Sequence, residues 1–187
     1  LPGWDEINHY VLNEDGVEDL IPLRPMNSHK GTFGTALIVG GSVRYPGAVV
    51  MAGEAAFRSG AGWVKIALPQ SLHPHLAGSF QEATWMPLPD DGAQFSIFSA
   101  RPFLEGATRA DAILLGPGIG LGGGVPEFIE SILPEIKVPL VLDADGLKTV
   151  AGFSNWPDRL PEETILTPHP GEMGILTNLP VAEVQER

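Results

Sequence analysis

The chain has 187 residues, 43% of them hydrophobic, a formal net charge of −12 and no cysteine. This length and apolar content suit one folded domain with a core, while the acidity disfavours nucleic acid or an anionic membrane as a partner. Composition excludes disulfides and thiolate chemistry, which fits a cytoplasmic protein, and no apolar run reaches the roughly 18 residues of a membrane span.

Residues 1–27 read as a linker or N-terminal arm. Glu14, Asp15, Glu18 and Asp19 alternate loosely with apolar residues, and Pro22 and Pro25 close the stretch. Leu1 in place of Met implies processing, or a start inside a longer polypeptide. The domain proper is read as residues 28–187, with its core beginning at Thr35. Residues 36–39 form a short apolar run that predicts a buried strand. Residues 47–59 are small and apolar on most sides, a helix packed closely on a sheet, with Gly60 and Gly62 as its stop. Strands are predicted at 63–68 and, more weakly, at 83–86. His73 and His75 fall in a Pro-containing loop and read as surface residues. A helix is predicted over 96–104, with Pro102 disrupting its end. A strand follows at 112–115, then a helix at 126–133 with Pro126 in its first turn. Further strands are predicted at 139–142 and 164–166, and short helices at 171–176 and from Pro180 onward. Strand and helix alternate, which predicts a largely parallel sheet with helices on both faces. The counts of 23 Gly and 18 Pro suit such a fold with many tight turns. The chain stops about two turns into its last helix. That predicts an incomplete domain, C-terminal part missing, whose apolar sheet edge pairs with further sequence or with a second copy in a homo-oligomer.

Three Gly- or Pro-rich turns adjoin predicted strands. His29, Lys30, Gly31 and Gly34 precede the first strand; Lys30 could hold a phosphate with charge and open backbone, or be a solvated turn residue. Gly116, Pro117, Gly118, Ile119 and Gly120 follow the strand at 112–115. Glycine there allows close approach of a ligand, or simply a tight turn. Thr167, Pro168, His169, Pro170, Gly171 and Glu172 follow the strand at 164–166. The prolines hold His169 in a fixed direction, toward a substrate hydroxyl or amide, or in a structural turn. Together the turns predict a nucleotide-sized site at one edge of the sheet. Asp143 and Asp145 alternate along an extended backbone and so share a side. They could hold Mg²⁺ between phosphates, or Asp145 could cap the helix starting near Gly146. No Cys/His cluster and no Ser nucleophile elbow occurs.

These motifs occur in a fixed order, joined by Pro46, Gly47 and Ala48 and by Arg58, Ser59, Gly60, Ala61 and Gly62. Together, over residues 28–187, they resemble the ADP/ATP-dependent NAD(P)H-hydrate dehydratases. The resemblance implies a ribokinase-like three-layer α/β sandwich. It implies dehydration of hydrated NADH or NADPH, by phosphorylation from ADP or ATP with Mg²⁺ and elimination of phosphate. It implies Gly47, Ala48, Gly118, Gly120 and His169 as substrate-binding residues, Lys30 as phosphate-binding, and Asp143 and Asp145 in supporting roles. The family's later Gly-x-Gly-Asp motif, with its general base and anion hole, is absent from these 187 residues. No catalytic residue or metal ligand is therefore assigned, and a catalytically incomplete nucleotide-binding module is one alternative. A second alternative is a ribokinase-like kinase of a small vitamin precursor, such as a hydroxymethylpyrimidine or hydroxyethylthiazole. Residues 1–27 resemble the junction to a preceding NAD(P)H-hydrate epimerase domain in bifunctional members.

Overall fold

The computed structural model describes residues 13–21 and 23–186. Of the predicted arm, residues 1–12 and Pro22 lie outside the described residues, as does Arg187. The described remainder of the arm contains one helix and packs on the domain. Helix α1, Glu14–Leu20, begins at Asn13, whose side chain accepts the Gly16 N–H at 2.9 Å. Arg24 donates to the Gly60 carbonyl at 2.7 Å, and its guanidinium lies 4.2 Å from the centre of the Phe33 ring.

A six-stranded sheet organises the chain. Strand β1 is Thr35–Val39, followed by helix α2, Ala48–Arg58, and β2, Trp63–Pro69. A short helix α3, His73–Leu76, leads to β3, Thr84–Leu88. The loop predicted around His73 and His75 is therefore helical, and His73 packs edge-on to Trp85 with ring centres 5.9 Å apart. A hairpin of β4, Asp90–Asp91, and β5, Gln94–Phe95, precedes helix α4, Ile97–Ala107. Then come β6, Ala112–Leu115; α5, Val125–Ile132; β7, Leu140–Leu142; and α6, Asp145–Ala151. Strand β8, Thr164–Leu166, and helices α7, Pro170–Thr177, and α8, Val181–Glu186, complete the described residues.

The strand order is β3-β2-β1-β6-β7-β8, and every pairing in this sheet is parallel. The order reverses between β1 and β6, so the loops leaving their carboxyl ends diverge to opposite sides and leave a crevice. Alternate residues of β1 serve two cores. Leu37 and Val39 join Phe95, Phe103, Phe128 and Ile129 on one face; Ile38 joins Val49, Ile66 and Phe80 on the other. This gives the helix–sheet–helix layering expected of a buried parallel sheet. Phe95 stacks on Phe128 with centroids 4.7 Å apart, which anchors the hairpin to α5.

Helix α4 runs through Pro102, whereas the sequence predicts disruption there. Pro102 has no N–H to give to the Phe98 carbonyl. Phe98 is 77% exposed, so that loss falls on the solvent side, and burial of Phe103 on the opposite face holds the helix together.

Glycine is required where β6 ends. A Cβ added at Gly116, which has φ +122°, would stand 2.0 Å from the Asp143 carbonyl oxygen. The contact is backbone on backbone and cannot yield by rotamer change. Gly116→Ala is expected to lower unfolding stability by more than about 3 kcal/mol, read as a shift in the urea midpoint.

Candidate functional site

The loops after β1 and β6 are stitched together at the crevice. The Gly116 N–H donates to the Val39 carbonyl at 3.0 Å, and the Gly41 N–H to the Pro117 carbonyl at 2.9 Å. The buried Ser42 hydroxyl donates to the Gly118 carbonyl at 2.7 Å. Gly118 has φ +63°, and a Cβ there would lie within 3 Å of the Tyr45 carbonyl oxygen, Tyr45 Cβ and Ala48 Cβ. Its lack of a side chain therefore admits the neighbouring loop. Gly47, by contrast, has nothing within 4 Å of its Cβ position, and Gly120, φ +83°, has only Ser42 at 3.8 Å.

A cleft of ≈ 650 Å³ opens beside these loops, lined by residues that include Arg44, Gln94, Gly120 and Lys148. Its apolar lining comes from Val43, Tyr45 and Leu121, which are 64%, 54% and 55% exposed. Large apolar side chains left open beside charged ones suit a ligand with a flat ring and an anionic portion. Gln94 reaches the cleft on the β4–β5 hairpin, whose Gly92 and Ala93 both take positive φ. The Asp91–Gly92 pair is the sequence signal for that turn and would have located it.

Lys148 is one of the cleft residues that sequence reasoning missed. Its Nζ lies 2.9 Å from Asp145 Oδ1 and 3.7 Å from Glu172 Oε1. The hydrogen bond to Asp145 holds the ammonium pKa above the ordinary lysine value; partial burial opposes this, and the charges of Asp145 and Glu172, with Tyr45, reinforce it. Asp145 Oδ2 accepts the Gly120 N–H at 3.2 Å. Glu172 is buried, and its Oε2 accepts the His169 N–H at 3.1 Å. Lys148 thus links the glycine turn after β6 to the turn after β8. The signal was its place three residues after Asp145, one helical turn on.

His169 caps α7. Its Nδ1 accepts the Gly171 and Glu172 N–H groups at 3.0 and 3.3 Å, and Glu172 returns the bond to the His169 N–H, a capping box with Pro170 at N1. The other ring nitrogen, Nε2, lies 3.3 Å from Glu172 Oε1.

Asp143 and Asp145 do not face one another. Ala144 takes φ +52°, ψ −123°, which breaks the alternation expected of an extended backbone. Asp143 Oδ1 accepts the Thr167 hydroxyl at 2.8 Å, while Asp145 turns to Gly120 and Lys148. Asp145 is the first residue of α6; the cap position belongs to Ala144. Among the described residues no group of three or more His, Cys, Asp or Glu could hold a metal ion.

Lys30 stands apart from the other predicted residues. Its Nζ sits 4.3 Å above the Trp63 ring, and the Gly62 N–H behind it donates to the Phe33 carbonyl. Trp63 opens β2 and pairs with Thr35, the first residue of β1. Lys30 is therefore at the amino ends of the strands. The six steps from Gly34 to Gly40 cover roughly 20 Å, which separates it from Gly118 and His169. Of the three predicted turns only the one after β6 lines the cleft, through Gly120, together with the loop after β1; the turn after β8 connects to it through Glu172 and Lys148, and His169 is not among the lining residues.

The sequence profile of NAD(P)H-hydrate dehydratases matches residues 36–187. A bifunctional NAD(P)H-hydrate repair enzyme of Salinibacter ruber is 43% identical over 154 residues, 81% of this chain and 28% of the relative. The ADP-dependent (S)-NAD(P)H-hydrate dehydratase of Bacillus subtilis is 37% identical over 174 residues, 93% of this chain and 58% of the relative. A crystal structure of the B. subtilis ADP/ATP-dependent enzyme, co-crystallised with ATP and Mg²⁺, superposes with a TM-score of 0.71 at 32% identity. It covers 94% of this chain and 58% of that one. A ribokinase-like protein of Enterococcus faecalis gives 0.75 at 28% identity, covering 94% and 61%. The chain thus spans under two thirds of the length of these proteins.

The raised Lys148 pKa sets a pH dependence. Its stabilisation is complete below the ordinary lysine value, about 10.4, and is lost as pH climbs through the higher folded value. Lys148→Met is expected to cost about 1–2 kcal/mol at neutral pH, with the gap from wild type closing as pH rises past the ordinary lysine value and through the higher folded one; paired urea titrations read both. At Ala144, the positive φ stores about 1–3 kcal/mol. Thermal melts are expected to show Ala144→Gly at or above wild type and Ala144→Val well below it.

Proposed function

The chain belongs to the NAD(P)H-hydrate dehydratase family, and on that premise we propose that its cleft serves nucleotide-dependent repair of hydrated NADH or NADPH. The observation that carries this reading is the position and lining of the cleft. It lies at the carboxyl ends of the strands, beside the reversal of strand order, with Val43, Tyr45 and Leu121 next to Arg44 and Lys148. The apolar residues suit the hydrated nicotinamide ring, and Arg44 suits a phosphate in a chain of net charge −12, whereas Lys148 is taken up by Asp145 and Glu172.

In the proposed reaction the ring hydroxyl attacks the terminal phosphoryl of ADP or ATP, the bond to the bridging oxygen breaks, AMP or ADP leaves with that electron pair, and the hydroxyl proton passes to solvent. The carbon–oxygen bond then breaks, phosphate leaves, and the adjacent ring carbon gives up a proton as the double bond reforms. What this chain's residues contribute is binding and orientation. Gly47 and Gly120 leave room beside the cleft, while Ala48 and Gly118 fix the spacing of the two loops. His169 holds the α7 turn, through which Glu172 and Lys148 keep Asp145 on the glycine turn. Lys30 has no part in this site. The described residues do not fit a protein-held Mg²⁺, because Asp145 is committed to Lys148 and Gly120 and Asp143 accepts from Thr167. In this proposal the ion travels with the nucleotide phosphates.

Two further readings are separable by the same assay. With hydrated NADH or NADPH and ADP or ATP, the proposal expects dihydronicotinamide absorbance to return in proportion to nucleotide consumed. Phosphorylation of a hydroxymethylpyrimidine or hydroxyethylthiazole, with no such recovery, would replace it by a vitamin-precursor kinase. Saturable nucleotide binding without turnover of either substrate would leave a binding module.

A further inference from the structure

Two cations line one cleft, and their surroundings differ. Lys148 lies between Asp145 and Glu172, so its charge is more than balanced by carboxylates before any ligand arrives. Arg44 is exposed on the same cleft and makes no hydrogen bond, ion pair or ring contact among the described residues. From this contrast, and resting on the reading that the ligand bears phosphates, we infer that Arg44 is the residue that contacts a ligand phosphate. Lys148 is then a strut that positions the site.

Three features support the assignment. The loop that carries Arg44 is braced on both sides of it: the Ser42 hydroxyl donates to the Gly118 carbonyl at 2.7 Å, and the Tyr45 N–H to the Ser42 carbonyl at 3.1 Å. The base of the side chain is therefore fixed, and less order has to be imposed on binding. A planar guanidinium also offers paired N–H groups that match two phosphate oxygens, and its weaker hydration lowers the cost of the exchange. Finally, one backbone donor of the cleft lining is already engaged, since the Gly120 N–H is bonded to Asp145. In a chain of net charge −12 an anion meets a repulsive field over most of the surface, so an uncommitted guanidinium at the mouth of the cleft is the local exception.

The test uses inorganic pyrophosphate as probe, titrated calorimetrically at low salt into wild type, Arg44→Gln, Arg44→Lys and Lys148→Met. Arg44→Gln is expected to weaken binding about tenfold with an unchanged melting temperature, and Arg44→Lys to restore part of the loss. Lys148→Met is expected to lower the melting temperature and to move pyrophosphate affinity less than Arg44→Gln does. The inference is overturned if wild type shows no saturable binding, if Arg44→Gln binds like wild type, or if Lys148→Met loses as much affinity as Arg44→Gln. Titrations with ADP, NADH and NADPH then locate the phosphate. A loss confined to NADPH assigns the contact to its additional phosphate monoester; a loss shared by all three assigns it to the diphosphate. Arg44-dependent pyrophosphate binding without turnover of hydrated dinucleotide would leave this inference standing and remove the dehydratase reading.

Discussion

The backbone contact between the loops leaving β1 and β6 is the constraint on which the site depends. A Cβ at Gly40 would lie 2.2 Å from the Pro117 carbonyl oxygen, and one at Gly118 would lie 2.7 Å from that of Tyr45. No side chain fits between these segments, so each fixes the height and direction of the other. Because the strand order reverses at this point, the same contact that closes the sheet's carboxyl end also sets the floor of the cleft. Tyr45, Arg44 and Gly120 are placed by the packing of the two loops, without any flexible linker.

Electrostatics works within that frame. Asp145 and Glu172 are largely buried, and each is satisfied by a backbone N–H as well as by Lys148. Two carboxylates sharing one ammonium leave a net negative charge, which repels a phosphate. The arrangement therefore makes sense as a brace between the turns after β6 and β8. Its consequence is a division of labour between the cations: the one that holds the site together is not free to meet the ligand.

Much of the architecture was legible because buried parallel strands are short apolar runs closed by glycine or proline. β1, β2 and β6 read that way; β7 is an apolar run opened by Pro139, and β8, at the sheet edge, is an apolar run before Pro168 although its Ile165 is 63% exposed. The hairpin at Asp90–Phe95 was harder, since its strands have two residues each and carry no periodicity. Only the Asp91–Gly92 pair marks it. Pro102 misled because a helix ends at proline only where packing does not outweigh one lost hydrogen bond, and Phe103 supplies that packing. Asp143 and Asp145 misled because alternation holds only while the backbone stays extended, and Ala144 turns it. Lys148 left only a local trace, its place three residues after Asp145. Its importance comes from Glu172, 24 positions later in sequence and 3.7 Å away in space, a proximity that no local pattern encodes.

His29 and His169 show how far letters can carry an argument about function. Both precede a short helical turn, and both accept a backbone N–H on Nδ1, at 3.1 Å from Gly31 and 3.0 Å from Gly171. Both belong to capping boxes, closed by Thr32 and by Glu172. Helix capping alone thus accounts for a histidine followed by glycine in each motif, whatever the motif does. What separates them is place. The first turn sits at the amino ends of β1 and β2, where Lys30 covers Trp63; the second sits at the carboxyl end of β8. In an open parallel sheet only the carboxyl ends, at the reversal of strand order, leave a crevice for a ligand. The turn with His169 therefore lies at the same end of the sheet as the cleft and connects to it through Glu172 and Lys148, whereas the turn with Lys30 lies at the opposite end.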